Sequence, residues 1–220
     1  MSAAERLEAV KARVVAACTA AGRDPAEVGL IAVSKTHPAH VIAEVAAAGH
    51  RDFGESYAQE LRDKAPQIPD ARWHFIGRLQ SNKAKYVAPV AHRVHALESV
   101  SQAEALAKRA SGPLECLVSV HLGGESSKGG VAPDEALERC ATLHAVEGIE
   151  IVGLMTLPPF HEDPEDMAAY FAHLADLAAR GRAAGLPLHE LSMGMSHDFE
   201  VAIRHGATWV RVGTAIFGPR

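Results

Sequence analysis

The chain has 220 residues, 48% hydrophobic and 22% charged, with a formal net charge of −5; this is a globular composition that can bury its own core and lacks the basic balance of a nucleic-acid binder. Cys18, Cys116 and Cys140 are widely spaced with no C-x-x-C, which argues against a disulfide framework or a cysteine zinc site. No apolar run approaches the length of a membrane span, and Glu5, Arg6, Glu8, Lys11 and Arg13 interrupt any signal-like segment, so a soluble, cytoplasmic protein is expected.

The first predicted element is a helix. Ser2 and Glu5 form a capping box, Leu7, Val10, Val14 and Cys18 share one face, and Gly22 is a stop. A strand–helix rhythm follows. Leu30–Val33 reads as a buried strand, with a helical run up to Gly49. Asp52–Gly54 is a second strand, then a helix from Ser56 towards Lys64. Trp73–Ile76 is a third, followed by Ser81–Tyr86. Val94–Leu97 is a fourth, with a helix from Ser101 to Ala110. Leu114–Val120 is a fifth, then a Gly-rich loop and a helix from Pro133 to His144. Ile149–Met155 is a sixth, then the clearest helix, Pro164–Ala184, with Met167, Tyr170, Phe171, Leu174, Leu177 and Ala178 on one face. Leu188–Ser192 is a seventh, with a helix from Asp198 to His205. Trp209–Val212 is an eighth.

The strands are continuous apolar runs, as in a parallel sheet covered by helices. Eight alternations in a chain of this size predict an α/β (β/α)₈ TIM-like barrel forming one domain over residues 1–220. An open doubly wound sheet is the rival, weakened because no G-x-G-x-x-G follows the first strand. Only eight residues follow Val212, too few for a final helix, so the N-terminal helix is expected to cover that seam.

In such a barrel the site lies at the C-terminal ends of the strands, and phosphate often binds after strands 7 and 8. Those exits carry Ser192, Gly194, Ser196, Gly213 and Thr214, small and hydroxyl residues suited to an anion. Lys35 leaves strand 1, which barrel closure sets beside strand 8. It reads equally as a phosphate counter-charge or as a Schiff-base lysine activated by burial and a cation such as Arg211. The stretch Gly123–Gly130 fails the Walker pattern and reads as a loop over the barrel mouth, with Lys128 as a candidate ligand contact. His37/His40 and His92/His95 have H-x-x-H spacing without H-E-x-x-H, and are read as core or solvated histidines with no metal site.

The motifs Val33–Thr36 (V-S-K-T), Phe53–Tyr57 (F-G-E-S-Y), His74–Lys83 (H-F-I-G-R-L-Q-S-N-K), Gly153–Thr156 (G-L-M-T), Leu191–Ser196 (L-S-M-G-M-S) and Val210–Gly218 (V-R-V-G-T-A-I-F-G) resemble the pyridoxal phosphate homeostasis protein family, single-domain relatives of the alanine racemase N-terminal barrel. The resemblance implies a fold-type III barrel binding pyridoxal 5′-phosphate, with Lys35 as the Schiff-base lysine. It implies phosphate contacts from Ser192, Gly213 and Thr214, and Arg211 facing the pyridine nitrogen. Ser56 stands where the family usually has Asn, and His197 where an acidic residue is common.

The resemblance further implies a protein that holds, buffers and transfers the cofactor, with apo pyridoxal phosphate enzymes as candidate recipients. The chain ends soon after strand 8, so the C-terminal β-domain that supplies the second base in alanine racemase is expected to be absent, and no catalytic residue is assigned. An Arg at the ring nitrogen also disfavours amino-acid chemistry. The alternatives are a racemase- or transaminase-like enzyme of low activity and a phosphate-binding barrel enzyme without pyridoxal phosphate. No leftover apolar stripe is evident, which points to a monomer without nucleic-acid or membrane partners.

Overall fold

The computed structural model describes residues 1–123 and 129–219. Eight parallel strands close into a barrel in the order β1 to β8: β1 (Gly29–Val33), β2 (Asp52–Glu55), β3 (Arg72–Phe75), β4 (Ala91–Leu97), β5 (Leu114–Val120), β6 (Ile149–Thr156), β7 (Glu190–Ser192) and β8 (Trp209–Val212). The seam pairs β1 with β8, Ile31 opposite Arg211 and Ala32 opposite Val212. It therefore brings Val33, the last residue of β1 and two before Lys35, to the residue after β8, Gly213.

Side chains alternate between the two faces of a strand. Trp73, Phe75, Val94, Leu191, Val210 and Val212 point outward into the apolar core beneath the helices. The residues between them, His74, His95, Ser192 and Arg211, are buried polar groups of the barrel interior. The interior is apolar at Ala96, Leu117 and Met155, which form a separate small cluster.

The helices are α1 (Ala3–Ala20), α2 (Ala39–Ala47), α3 (Ala58–Lys64), α4 (Ala84–Val87), α5 (Val100–Ala107), α6 (Ala136–His144), α7 (Ala168–Ala183), α8 (Phe199–Arg204) and α9 (Thr214–Phe217). The capping box of α1 forms as its sequence predicts, Ser2 Oγ accepting from Glu5 N and Glu5 accepting from Ser2 N. Its buried face of Leu7, Val10, Val14 and Cys18 packs on α2, α8 and α9. The expected seam cover is therefore present, and Arg6 ties it to the Ile216 carbonyl at 2.6 Å. One expectation is corrected. The residues after β8 do form a helix, the single turn α9, because Ile216 and Phe217 find burial against α1.

Boundaries moved where tertiary contacts decide. The strand expected from Val94 begins at Ala91, because Arg93 is buried by its ion pair with Glu115 and by the Trp209 ring. The helix expected from Pro164 opens with a 3₁₀ turn, Pro164–Met167, capped by Asp163. Lys128 and residues 124–127 of the Gly-rich loop lie outside the described residues.

Candidate functional site at the C-terminal mouth of the barrel

The strand exits converge on one cavity of about 250 Å³, whose walls include Lys35, Ser56, Ser196, Arg211, Gly213 and Thr214, with Val33, Ile76, Met155 and Leu157 as apolar surface. Four of the five residues expected to bind the cofactor, Lys35, Arg211, Gly213 and Thr214, are thus brought together. They come from the exits of β1 and β8, neighbours only because the barrel closes.

Lys35 is half-buried in the turn after β1. Its neighbour Thr36 has φ +68, a left-handed conformation that a β-branched residue rarely takes. The turn is held from below. Lys64 Nζ donates to the Ser34 carbonyl at 3.0 Å, to Glu55 at 2.8 Å and to Glu60 at 2.7 Å, and Glu60 accepts from Thr36 N at 2.8 Å. Burial pushes the fully enclosed Glu55 carboxyl up, against the pull of Lys64 and Ser34. A strained turn persists only where its surroundings over-determine it. Here a buried ammonium and two carboxylates do so, and they set where Lys35 leaves the strand.

On the opposite wall, Gly194 has φ +89, and a Cβ there would lie 2.6 Å from that of Ala202. Glycine lets the chain turn sharply after β7 and bring Ser196 to the mouth. Ser196 Oγ accepts from Gly213 N at 3.3 Å, joining the β7 and β8 exits. A Cβ at Gly213 would press on the Val33 carbonyl at 3.3 Å, so glycine also keeps the cradle between β1 and β8 open.

Arg211 is buried, with Nη1 donating to Ser192 Oγ at 2.7 Å and Nη2 to the Thr156 carbonyl at 2.9 Å. Burial pushes its guanidinium down to about 10, with the Asp198 carboxylate opposing, so it is a cation at neutral pH.

Ser192 stands apart from the other four. It does not line the cavity. It is fully buried one layer below the mouth, and its hydroxyl is engaged by Arg211 and by His95 Nδ1 at 2.8 Å. The hydroxyl that reaches the cavity from this loop is that of Ser196, four residues on. Residues without an assigned role in the sequence also line the wall: Ile76, Met155, Leu157, Met195 and the exposed His197, whose Nε2 lies 2.9 Å from the Glu162 carbonyl. Their signal was positional, since Ile76 and Leu157 directly follow β3 and β6. Ser56, which directly follows β2, also lines the cavity.

Among the described residues no group of three or more His, Cys, Asp or Glu is arranged to hold a metal ion. His92 packs edge-on against His74, and His95 is enclosed in the interior. Among the same residues no helix is long and apolar enough to cross a membrane.

Burial holds the imidazoles of His50, His74 and His92 below their ordinary range and that of His95 well below it. The folded protein therefore resists protons that the unfolded chain takes up below about pH 6.5. With more protons bound in the unfolded state, stability falls as pH falls, at up to about 1.4 kcal/mol per pH unit for each such histidine. The raised carboxyls of Glu55 and Asp198 act in the opposite sense nearer pH 4. We expect the denaturant midpoint to drop steadily from pH 7 to pH 5; a constant midpoint over that range would mean that these rings are not held neutral.

The site's relatives are known proteins. The family model of the alanine racemase N-terminal domain matches residues 6–220. The chain is 42% identical to the pyridoxal phosphate homeostasis protein of Aquifex aeolicus, over 100% of this chain and 99% of that protein. It is 44% identical to that of Pseudomonas aeruginosa, over 99% and 95%. Among solved structures it is similar to PipY of Synechococcus elongatus with PLP bound, at a TM-score of 0.85 and 36% identity, covering 99% of this chain and 100% of that one. Lysine decarboxylase of Selenomonas ruminantium, at 13% identity and a TM-score of 0.70, shares the barrel fold.

Proposed function

The chain belongs to the pyridoxal phosphate homeostasis protein family, built on the alanine racemase N-terminal domain, and from that premise we propose that its cavity holds pyridoxal 5′-phosphate with Lys35 as the covalent anchor. The observation that carries the reading is the convergence of one lysine, one buried arginine and the Gly213–Thr214 exit on a single cavity with apolar walls. This donor set fits a flat, phosphorylated aldehyde. When bound, that group supplies an aldehyde that condenses with primary amines and a ring that draws electrons from the attached carbon. Lys35 would hold the aldehyde carbon. Thr214 and Ser196 would hold the phosphate at the exit that Gly213 keeps open. Arg211 would face the ring nitrogen, and Ile76, Met155 and Leu157 would cover the ring.

The function that follows is storage and delivery of the cofactor, with apo-forms of enzymes that use it as recipients. Hydrogen bonds to a charged group contribute roughly 1.5–3 kcal/mol each, so Thr214→Ala should speed loss of the cofactor about tenfold or more while leaving the covalent link to form at high concentration. Wild-type protein, loaded and mixed with an apo-enzyme, should restore its activity faster than release into buffer allows. Unchanged retention in Thr214→Ala would place the phosphate elsewhere. Recovery no faster than free release would reduce the function to buffering.

A further inference from the structure

Beneath the cavity an unbroken series of hydrogen bonds crosses the barrel interior. Arg211 Nη1 donates to Ser192 Oγ at 2.7 Å. Ser192 Oγ lies 2.8 Å from His95 Nδ1. His95 Nε2 lies 2.9 Å from His74 Nδ1. His74 Nε2 lies 3.0 Å from Asp52 Oδ1, and Arg72 donates to Asp52 Oδ2 at 2.5 Å. Strands β8, β7, β4, β3 and β2 contribute Arg211, Ser192, His95, His74 and Asp52 in turn, Arg72 of β3 closes the far end, and the series runs from the site to the N-terminal start of β2. His74, His95 and Ser192 are wholly enclosed.

The proton positions follow from the chemistry of the two ends. A guanidinium only donates, so Ser192 Oγ accepts from Arg211, and its own proton is free to turn to His95 Nδ1. A neutral His95 with a bare Nδ1 carries its proton on Nε2 and donates to His74 Nδ1. His74 in turn carries its proton on Nε2 and donates to Asp52, a carboxylate that only accepts. The Asp52 end fixes these tautomers by itself, because a carboxylate cannot donate, and Arg211, which needs only an acceptor, is satisfied by the same sense.

The surroundings agree. Burial, assisted by Arg93 and His92, keeps both rings neutral, with Asp52 opposing at His74, and Arg211 also acting on His95. Burial of Asp52 is outweighed by its bonds from His74 and Arg72, which hold the carboxyl below its usual range. Trp209 packs on both rings. Among the described residues no carboxylate lies within ion-pair distance of Arg211, so Asp52 is the anion that terminates its hydrogen-bond series.

We propose that Ser192, His95, His74 and Asp52 are positioning residues for Arg211: a one-way hydrogen-bond series that locks the guanidinium so that Nε–H, which has no protein acceptor among the described residues, is presented to the cofactor's ring nitrogen. The proposal rests on the reading of the cavity given above. The series determines where the cation stands and which of its N–H groups is left for the ligand. A set of polar residues that only satisfied one another would leave the ligand's ring unaffected.

Two measurements test it. In the cofactor-free protein at pH 7, ¹⁵N NMR of the imidazoles, assigned with single His→Asn variants, should find His74 and His95 both neutral with the proton on Nε2. A proton on Nδ1 of either ring, or an imidazolium, would overturn the one-way series. In the second, His95→Leu and Ser192→Ala should shift the absorption band of bound pyridoxal phosphate and raise its dissociation constant by about tenfold. His95→Asn, which keeps an acceptor for Ser192, should restore both towards wild type. A folded His95→Leu or Ser192→Ala protein with wild-type band and affinity would overturn the positioning role. If His95→Leu does not fold, Ser192→Ala and the NMR measurement decide. Failure of wild-type protein to bind pyridoxal phosphate at all would instead defeat the reading of the cavity, and the tautomers of the cofactor-free protein separate the two outcomes.

Discussion

Lys35→Ala is expected to abolish the absorption near the visible edge that the wild-type protein acquires with pyridoxal phosphate, a near-complete loss. Lys35 lies at the exit of β1, across the seam from Gly213 and Thr214, and lines the same cavity as both. The other lysine near this turn, Lys64, is engaged by Glu55, Glu60 and the Ser34 carbonyl and does not line the cavity. Its ammonium therefore does not substitute. The phosphate contacts do not depend on the lysine, so the variant should still bind the cofactor, more weakly and without the band. Full wild-type absorbance in Lys35→Ala would transfer the anchor to another lysine, with Lys83 and Lys128 the next to replace.

The second large effect concerns amino-acid chemistry. Racemisation of a common amino acid by the loaded protein should run at least about a thousandfold below the ordinary enzyme turnover of about 10 per second. The reason lies in Arg211. Its guanidinium stays charged at neutral pH even though burial pushes it down to about 10. A fixed cation that only donates keeps a facing ring nitrogen unprotonated, and such a ring draws less electron density from a substrate's α-carbon. Racemisation measured at ordinary enzymatic rates would contradict this and would return the racemase-like alternative to first place.

The barrel was legible because its strands are short apolar runs such as Leu30–Val33 and Leu114–Val120, separated by helical segments with a readable face, as in Phe171, Leu174 and Ala178 on α7. The place of Gly213 and Thr214 at the cavity was legible from fold geometry, since the loops after strands 7 and 8 of such a barrel favour a ligand site. Ser192 and Ser196 could not be ranked from the sequence. Both are serines of one short motif, and only the layer each occupies separates them: Ser192 ends β7 pointing inward, while Ser196 follows the Gly194 turn to the mouth. The start of β4 was hidden because Arg93 reads as a surface residue until Glu115 and Trp209 enclose it. His95 was read as a core or solvated histidine, but its partnership with His74 was not legible, because the two are 21 residues apart and meet only across the β3–β4 pairing.

The most direct test of the Lys35-anchored cavity is to load the wild-type protein with pyridoxal phosphate, reduce it with borohydride and locate the modification by peptide mass mapping. One dominant label is expected, on the peptide that carries Lys35. A label on Lys64, Lys83 or Lys128 with Lys35 unmodified, or no fixed label at all, would contradict it.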